Sequence, residues 1–204
     1  MSNRSQKSSS QCNQESTVLY THSGVPQGSI LAPLLFLIFI NDIDESIVSD
    51  MFIFADDATL NKIYTSALEA ELCINEDLKT VAIWAQKWYV SFNLEKTVFI
   101  NFTLKNQPSN IPQIEFMTSA VKQVSEHKHL GIIFSEDMKW SKHIAYITFK
   151  ANQRLGALYR QSLKMTRVRI ETLYTSSIRP ILEYGCVLFD NCSINDSKMI
   201  EAVQ

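Results

Sequence analysis

An apolar run from Ile30 to Ile40 constrains the fold more than any other feature of the 204-residue sequence. None of its eleven side chains is polar or charged. Pro33 suits the first turn of a helix, because the N–H that it lacks has no helical partner there. A membrane span needs about 20 apolar residues. The run therefore predicts a buried helix, from about Ala32 to Asp44, inside a folded domain.

The composition is that of a folded chain with one sizeable core or two small ones. Apolar residues make up 46% of it, and five Gly and five Pro are too few for a disordered or low-complexity protein. The N-terminus lacks the apolar core of a secretory signal, and none of the four cysteines forms a CxxC pair. We expect free thiols in a reducing compartment, the nucleus or the cytoplasm, and no membrane segment.

The order of periodic segments predicts an α+β fold with an antiparallel sheet followed by a helical part. Residues 1–17 are polar and aperiodic, which is typical of a flexible or truncated lead-in. Residues 18–135 mix predicted helices and strands, and residues 136–204 are predicted to be helical. The elements predicted from apolar spacing are strands at 51–55, 58–64, 98–102 and 130–134 and helices at 66–88, around 144–158 and at 167–178.

The net charge of −2 conceals two opposite fields. Ten acidic residues and one lysine lie between Asp42 and Asp77, a net charge of −9. Nine basic residues and one glutamate lie between Lys139 and Arg179, a net charge of +8. The first segment predicts a cation-binding region, and the second predicts a face that tracks nucleic-acid phosphates, with an ordinary solvated surface as the alternative.

Asp56 and Asp57 are the strongest candidates for chemistry. They follow an apolar strand at the tip of a predicted hairpin, so we expect them at the end of a buried strand. Two adjacent carboxylates repel each other unless a cation offsets their charge. Mg²⁺ binds to a few carboxylates together with water and phosphate oxygens. An exposed polar turn is the alternative interpretation.

Two motifs around this pair resemble those of one family. They are Ser23-Gly24-Val25-Pro26-Gln27-Gly28-Ser29 with Pro33-Leu34-Leu35-Phe36, and then Phe54-Ala55-Asp56-Asp57. In this order they are similar to motifs B and C of reverse transcriptases of jockey-type non-LTR retrotransposons. Later segments are similar to motif D, to the primer grip and to the stretch after the thumb helices: Trp84, Trp88, Asn93, Lys96 and Thr97; His129-Leu130-Gly131-Ile132; Arg179-Pro180 and Tyr184-Gly185.

The resemblance implies a partial polymerase palm, with helices on one face of its sheet, and a thumb-like region that together act in RNA-templated DNA synthesis. The partners implied are an RNA template, a DNA primer and a dNTP, with Mg²⁺ (or Mn²⁺) as cofactor. Asp56 and Asp57 would be catalytic metal ligands, and Lys96 a proton donor or electrostatic partner of pyrophosphate. The other implied roles concern the nascent base pair (Pro26, Gln27, Gly28, Phe54), the primer grip (His129, Leu130, Gly131) and, together with the charge pattern, the nucleic-acid backbone (Lys142, Lys150, Arg154, Arg160, Lys164).

The chain departs from the family upstream of Ser23. The family carries a third catalytic aspartate and the fingers there, whereas Glu15 is the one acid in this stretch. We therefore expect an internal fragment without the N-terminal part of the polymerase, inactive alone. Two alternatives stay open: a non-catalytic nucleic-acid-binding module that uses the basic helices, and a decayed element that makes no stable product.

Overall fold

The computed structural model describes the backbone of residues 5–7, 10–11, 14–15 and 19–21, and in full residues 24, 28–103, 111–163 and 165–203. The chain divides into two compact units, Met1–Phe92 and Asn93–Gln204. Each unit has its own helices and strands. The predicted functional boundaries after residues 17 and 135 stay predictions.

The first unit contains six strands and two helices among the described residues. In chain order they are β1 (Ser5–Lys7), β2 (Ser10–Gln11), β3 (Gln14–Glu15), β4 (Leu19–Thr21), α1 (Ala32–Ile40), β5 (Asp50–Phe54), β6 (Asp57–Asn61) and α2 (Ala67–Trp88). Strand β1 pairs with β4, β2 with β3 and β5 with β6, all antiparallel.

The apolar run forms α1, but the predicted burial of that helix is wrong. Ala32 is its one buried residue, whereas Leu34, Leu37 and Ile38 are 55–66% exposed. The helix also ends at Ile40, four residues before the predicted Asp44, because the chain turns at Asn41 toward α2. A helix that is apolar all round is normally covered. The surface of α1 is therefore a large exposed apolar area.

Helix α2 matches its predicted range and holds the end of α1 in place. Phe39 makes edge-on ring contacts with Trp84 and Trp88, each at 5.7 Å between centroids. The Trp84 indole N–H donates to Asp42 Oδ1 at 2.7 Å. The two tryptophans thus fix the path of the chain as it leaves α1.

The second unit begins with short strands. They are β7 (Val98–Phe99), β8 (Glu115–Phe116), β9 (Ser119–Ala120), β10 (Lys122–Gln123), β11 (Glu126–His129) and β12 (Ile132–Ser135). Strand β7 pairs parallel to β10, and the pairs β8–β9 and β11–β12 are antiparallel hairpins. The strand predicted at 98–102 is shorter than expected. The strand predicted at 130–134 begins two residues later, because Leu130 and Gly131 form the turn.

Helices complete the second unit. They are α3 (Ser141–Ser162), α4 (Arg167–Leu173), a π-helical turn (Tyr174–Ile178), α5 (Arg179–Glu183), a 3₁₀ turn (Cys186–Leu188) and α6 (Ile194–Glu201). The predicted stripe on α3 is confirmed, since its residues line the core of this unit. That core consists of Ile144, Ile147, Ala151, Ile178, Leu182, Phe189 and Val203, with Leu155 and Leu158 packed against it.

The helical path continues through Pro180, so the predicted stop before this residue is wrong. Proline in a regular helix would clash with the carbonyl four residues earlier. Here the π-helical turn intervenes, and Pro180 falls in the first turn of α5. A π-turn changes the local hydrogen-bond register, which accommodates the proline ring.

The predicted mixture of helix and strand is confirmed at the level of class. The described residues form six two-stranded ladders, five antiparallel and one parallel, instead of one larger antiparallel sheet. Among these residues no helix is long and apolar enough to cross a bilayer.

His143 on α3 is a fully buried histidine that should make the second unit sensitive to acid. Its Nδ1 accepts the Ile133 N–H at 3.3 Å, and its ring lies 5.4 Å from that of Phe189. Nε2 has no partner among the described residues. Burial, with a smaller contribution from the charge of Lys128, lowers the pKa of His143 below its ordinary value.

We expect the second unit to lose stability as the pH falls below the ordinary histidine pKa of about 6.5. Below that pH His143 is protonated in the unfolded chain but still neutral in the folded chain. The loss of stability therefore continues until the pH falls below the lowered pKa of the folded form. Its slope is at most about 1.4 kcal/mol per pH unit. Denaturant unfolding at several pH values measures it. His143→Gln should remove this slope, whereas the matched control His127→Gln, at an exposed position, should retain it; equal slopes in both variants would contradict the assignment.

Candidate functional site

The two candidate catalytic carboxylates lie at the tip of the β5–β6 hairpin. Phe54 pairs with Asp57, so Ala55 and Asp56 form the two-residue turn and Asp57 begins β6. We predict Asp56 and Asp57 as the two residues between the strands. The observed turn lies one residue earlier, at Ala55 and Asp56. Ala55 has φ +52°, in the left-handed region. That conformation costs a non-glycine residue about 1–2 kcal/mol, and such strain is concentrated at functional sites.

The predicted burial of this strand is also wrong. Phe52 and Phe54 are 60% and 63% exposed, and the tip itself is exposed. Of the ten residues of β5 and β6, Met51, Thr59 and Leu60 are half-buried and the other seven are exposed. The carboxylates are thus open to a ligand from outside the chain.

Asp56 and Asp57 suit part of a Mg²⁺ site but not a two-metal centre by themselves. One Mg²⁺ ion is satisfied by one or two carboxylates with water and phosphate oxygens. Two metal ions that clamp both the attacking and the leaving oxygen require a larger set of converging ligands. No group of three or more His, Cys, Asp or Glu side chains is placed to hold a metal within the described part of the chain.

The residues predicted to lie at the nascent base pair are only partly described. Pro26 and Gln27 lie outside the described residues. Gly28 has φ +84°, and the space where a Cβ would stand is open. Phe54 is beside the carboxylates, because it pairs with Asp57 across the ladder. Lys96 is exposed in a turn of the second unit, where its N–H donates to the carbonyl of Asn93.

The predicted primer-grip residues form the tip of the β11–β12 hairpin. His129 ends β11, and Leu130 (φ +48°) and Gly131 (φ +86°) make the turn. Positive φ at both positions is the geometry of tight two-residue hairpins. The Tyr184 hydroxyl donates to the Leu130 carbonyl at 2.8 Å, and a Cβ on Gly131 would stand 3.2 Å from the Tyr184 ring. Two motifs far apart in sequence thus meet at this turn.

The predicted backbone-binding cations differ in their surroundings. Lys142 forms an ion pair with Glu126 at 2.6 Å, and this hydrogen bond raises the pKa of Lys142. Arg154 donates to the Ser177 carbonyl at 2.9 Å. Lys150 lies over the ring of Tyr146, and Arg160 is exposed. Lys164 lies outside the described residues.

Asp77 holds the chain that leads into the β5–β6 hairpin, a role that the sequence pattern does not reveal. It is 1% exposed and accepts the N–H groups of Val48 and Ser49, both at 2.9 Å, directly before β5. In the sequence it is distinguished only as an acidic residue on the apolar side of α2, one residue before Leu78. The charge pattern alone places it in the predicted cation-binding region.

The exposed carboxylates of the hairpin tip and the cations of α3 are residue types that can contact Mg²⁺ and phosphate groups. The family model described as "Reverse transcriptase (RNA-dependent DNA polymerase)" matches residues 3–134. This match covers well over half of the chain, which therefore belongs to the reverse transcriptase family.

The relatives identify the branch of that family. The chain is 27% identical over 192 residues to the "Probable RNA-directed DNA polymerase from transposon X-element" of Drosophila melanogaster, a match that covers 89% of this chain and 21% of the relative. It is 29% identical over 178 residues to the "RNA-directed DNA polymerase from mobile element jockey" of the same organism, covering 82% and 19%. The resemblance to jockey-type retrotransposon reverse transcriptases is confirmed.

The chain spans about a fifth of the length of these curated relatives. No solved structure shows significant similarity to it.

Proposed function

We propose that this chain supplies the metal-binding hairpin, the primer grip and the start of the thumb to a retrotransposon reverse transcriptase. The parent enzyme would join a primer 3′-hydroxyl to the α-phosphate of a dNTP on an RNA template, releasing pyrophosphate. The observation that carries this proposal is the open hairpin tip, where Asp56 and Asp57 adjoin a strained Ala55. Residues 18–135 would be the palm part and residues 136–204 the thumb-like part.

Each candidate residue would have one role in this enzyme. Asp56 and Asp57 would provide carboxylate ligands to Mg²⁺ or Mn²⁺ when the ion is bound. Phe54 would flank the primer end, and Gly28, with Pro26 and Gln27, would allow the nascent base pair to approach the backbone. Lys96 would neutralise the pyrophosphate. The turn of Leu130 and Gly131, after His129, would hold the primer strand, and the cations of α3 would follow the phosphate backbone.

The 204 residues alone should be catalytically inactive, because two carboxylates do not complete the ligand set of a two-metal site. In a primer-extension assay with Mg²⁺ or Mn²⁺ we expect no templated incorporation. Incorporation by the purified chain would contradict this expectation.

Metal binding by the hairpin is tested without activity. Mn²⁺ is paramagnetic, so a bound ion should broaden the amide NMR signals of residues 54–58. Asp56→Asn with Asp57→Asn should abolish the broadening. The matched control Glu115→Gln with Glu136→Gln, at exposed acids of the second unit, should retain it. Equal broadening in both double variants would count against the hairpin as the metal site.

A second candidate function is non-catalytic binding of nucleic acid, which the cations of α3 favour. Affinity for an RNA–DNA hybrid should fall steeply with added salt, since phosphate contacts release counterions. Asp56→Asn with Asp57→Asn should leave this binding unchanged if the helices alone provide it. Binding that does not vary with salt would contradict both functions.

A further inference from the structure

Two lysines converge on one tyrosine at the surface of the second unit. Lys128 on β11 donates to the Tyr146 hydroxyl at 2.7 Å, and its Nζ lies 4.6 Å from the centre of the ring. Lys150, one turn further along α3, has its Nζ 5.3 Å from the same ring centre. A strand and a helix thus present two ammonium groups around one phenol. The sequence pattern does not single out Lys128 or Tyr146.

This arrangement brings like charges together, which is unfavourable unless something compensates for it. The ring and hydroxyl of Tyr146 provide part of the compensation, since cations are attracted to aromatic faces. The hydrogen bond from Lys128 also lowers the pKa of Tyr146, so the point between the lysines favours negative charge. The ion pairs of the second unit include those of Lys139, Lys142, Arg167 and Arg179.

Lys142 provides an internal comparison. It lies on the same helix but its charge is neutralised by Glu126 at 2.6 Å. Lys128 and Lys150 have no carboxylate within ion-pair distance in the described part of the chain. Their positive charge is therefore available to an anion from outside.

We propose that Lys128, Tyr146 and Lys150 form a binding site for one phosphodiester group of a nucleic-acid backbone. The lysines would supply charge, and the Tyr146 hydroxyl, an acceptor in the free protein, would donate its own proton to a phosphate oxygen. Base stacking is disfavoured because Tyr146 is half-buried and two ammonium groups lie against its ring. The contact would thus be independent of sequence. The identification of the ligand as an RNA–DNA hybrid rests on the proposed function.

The first test measures hybrid affinity against salt with the full 204-residue chain. Lys128→Gln and Lys150→Gln, separately or together, should lower the slope of log affinity against log salt by up to about 0.9, the value for one lost phosphate contact. Tyr146→Phe should weaken binding with little change in slope. Lys139→Gln is the matched control, an exposed lysine already paired with Asp137 at 3.6 Å. A loss in the control equal to that in the other lysine variants would overturn the proposed site.

A second measurement separates this site from the proposed function. The chain is labelled with ¹³C at the tyrosine Cζ, the Tyr146 signal is assigned with Tyr146→Phe, and inorganic phosphate is the probe. We expect the signal to move on titration, and not to move in Lys128→Gln. Absence of movement in the wild-type chain overturns the site whatever the hybrid result. Movement without hybrid binding supports an anion site and contradicts the proposed nucleic-acid function.

Discussion

Asp77→Ala should lower the free energy of unfolding of the first unit by about 1–3 kcal/mol, the cost of a buried donor left without a partner. The Asp77 carboxylate accepts the N–H groups of Val48 and Ser49. Its Oδ2 also lies 3.9 Å from the Cys73 thiol, which could donate weakly to it. Alanine removes the acceptor and leaves the buried Ser49 N–H unpaired, whereas Val48 is 72% exposed and its N–H is open to water.

The consequence should extend to the β5–β6 hairpin. Val48 and Ser49 directly precede β5, so their release frees the strand that leads to Asp56 and Asp57. Hydrogen exchange at the amides of residues 48 and 49, and along β5, should accelerate in Asp77→Ala. Asp77→Asn, which retains one acceptor oxygen, should have an intermediate effect.

Glu76→Ala is the matched control for this prediction. Glu76 is the neighbouring acid on α2 but is exposed, so its removal should change stability by less than about 0.5 kcal/mol. Urea unfolding monitored on the first unit compares the variants. An Asp77→Ala variant as stable as Glu76→Ala would show that the buried carboxylate does not anchor the hairpin.

The second large effect concerns the exposed apolar surface of α1. Leu34 and Leu37 lie on one face, three residues apart, and both are more than half exposed, at 55% and 62%. Contiguous exposed apolar surface of this kind leads to association. We expect the isolated chain to self-associate, and Leu34→Gln with Leu37→Gln to shift it strongly toward monomer in sedimentation velocity.

A control with the same type of substitution distinguishes the effect of a contiguous apolar patch from that of separate exposed apolar residues. Leu163 and Val187 of the second unit are 96% and 82% exposed but lie far apart in sequence. Isolated exposed apolar residues are normal on protein surfaces. Leu163→Gln with Val187→Gln should therefore leave the association unchanged. If the wild-type chain is monomeric and melts cooperatively, both this prediction and the hypothesis of a decayed, unstable product fail.

Local patterns predicted most elements correctly, and the exceptions have physical reasons. The period of apolar residues located α2 and the core stripe of α3, because each helix presents one face to its own unit. The same apolar signal predicted burial for α1 and β5, where it was wrong. An apolar segment indicates surface that is normally buried. It does not show whether that surface is buried within the same compact unit.

The charge pattern predicts the two segments of opposite charge but not which charged residues have partners within the chain. Asp42 and Asp77 were counted with the acids of the cation-binding region. In the structure Asp42 accepts the indole N–H of Trp84, and Asp77 accepts the N–H of Val48 before β5. In the basic segment, Lys142 and Arg154 have partners within the chain, whereas Lys150 joins Lys128, which lay outside the counted segment.

The sequence by itself determined the family and the carboxylate pair at a hairpin tip, because these features are encoded by neighbouring residues. Only the tertiary structure decided that Ala55 occupies the first turn, that Asp77 binds residues 28 and 29 positions away, and that Tyr184 reaches Leu130 across 54 positions. Such contacts depend on where distant segments pack. No local period or spacing specifies that packing.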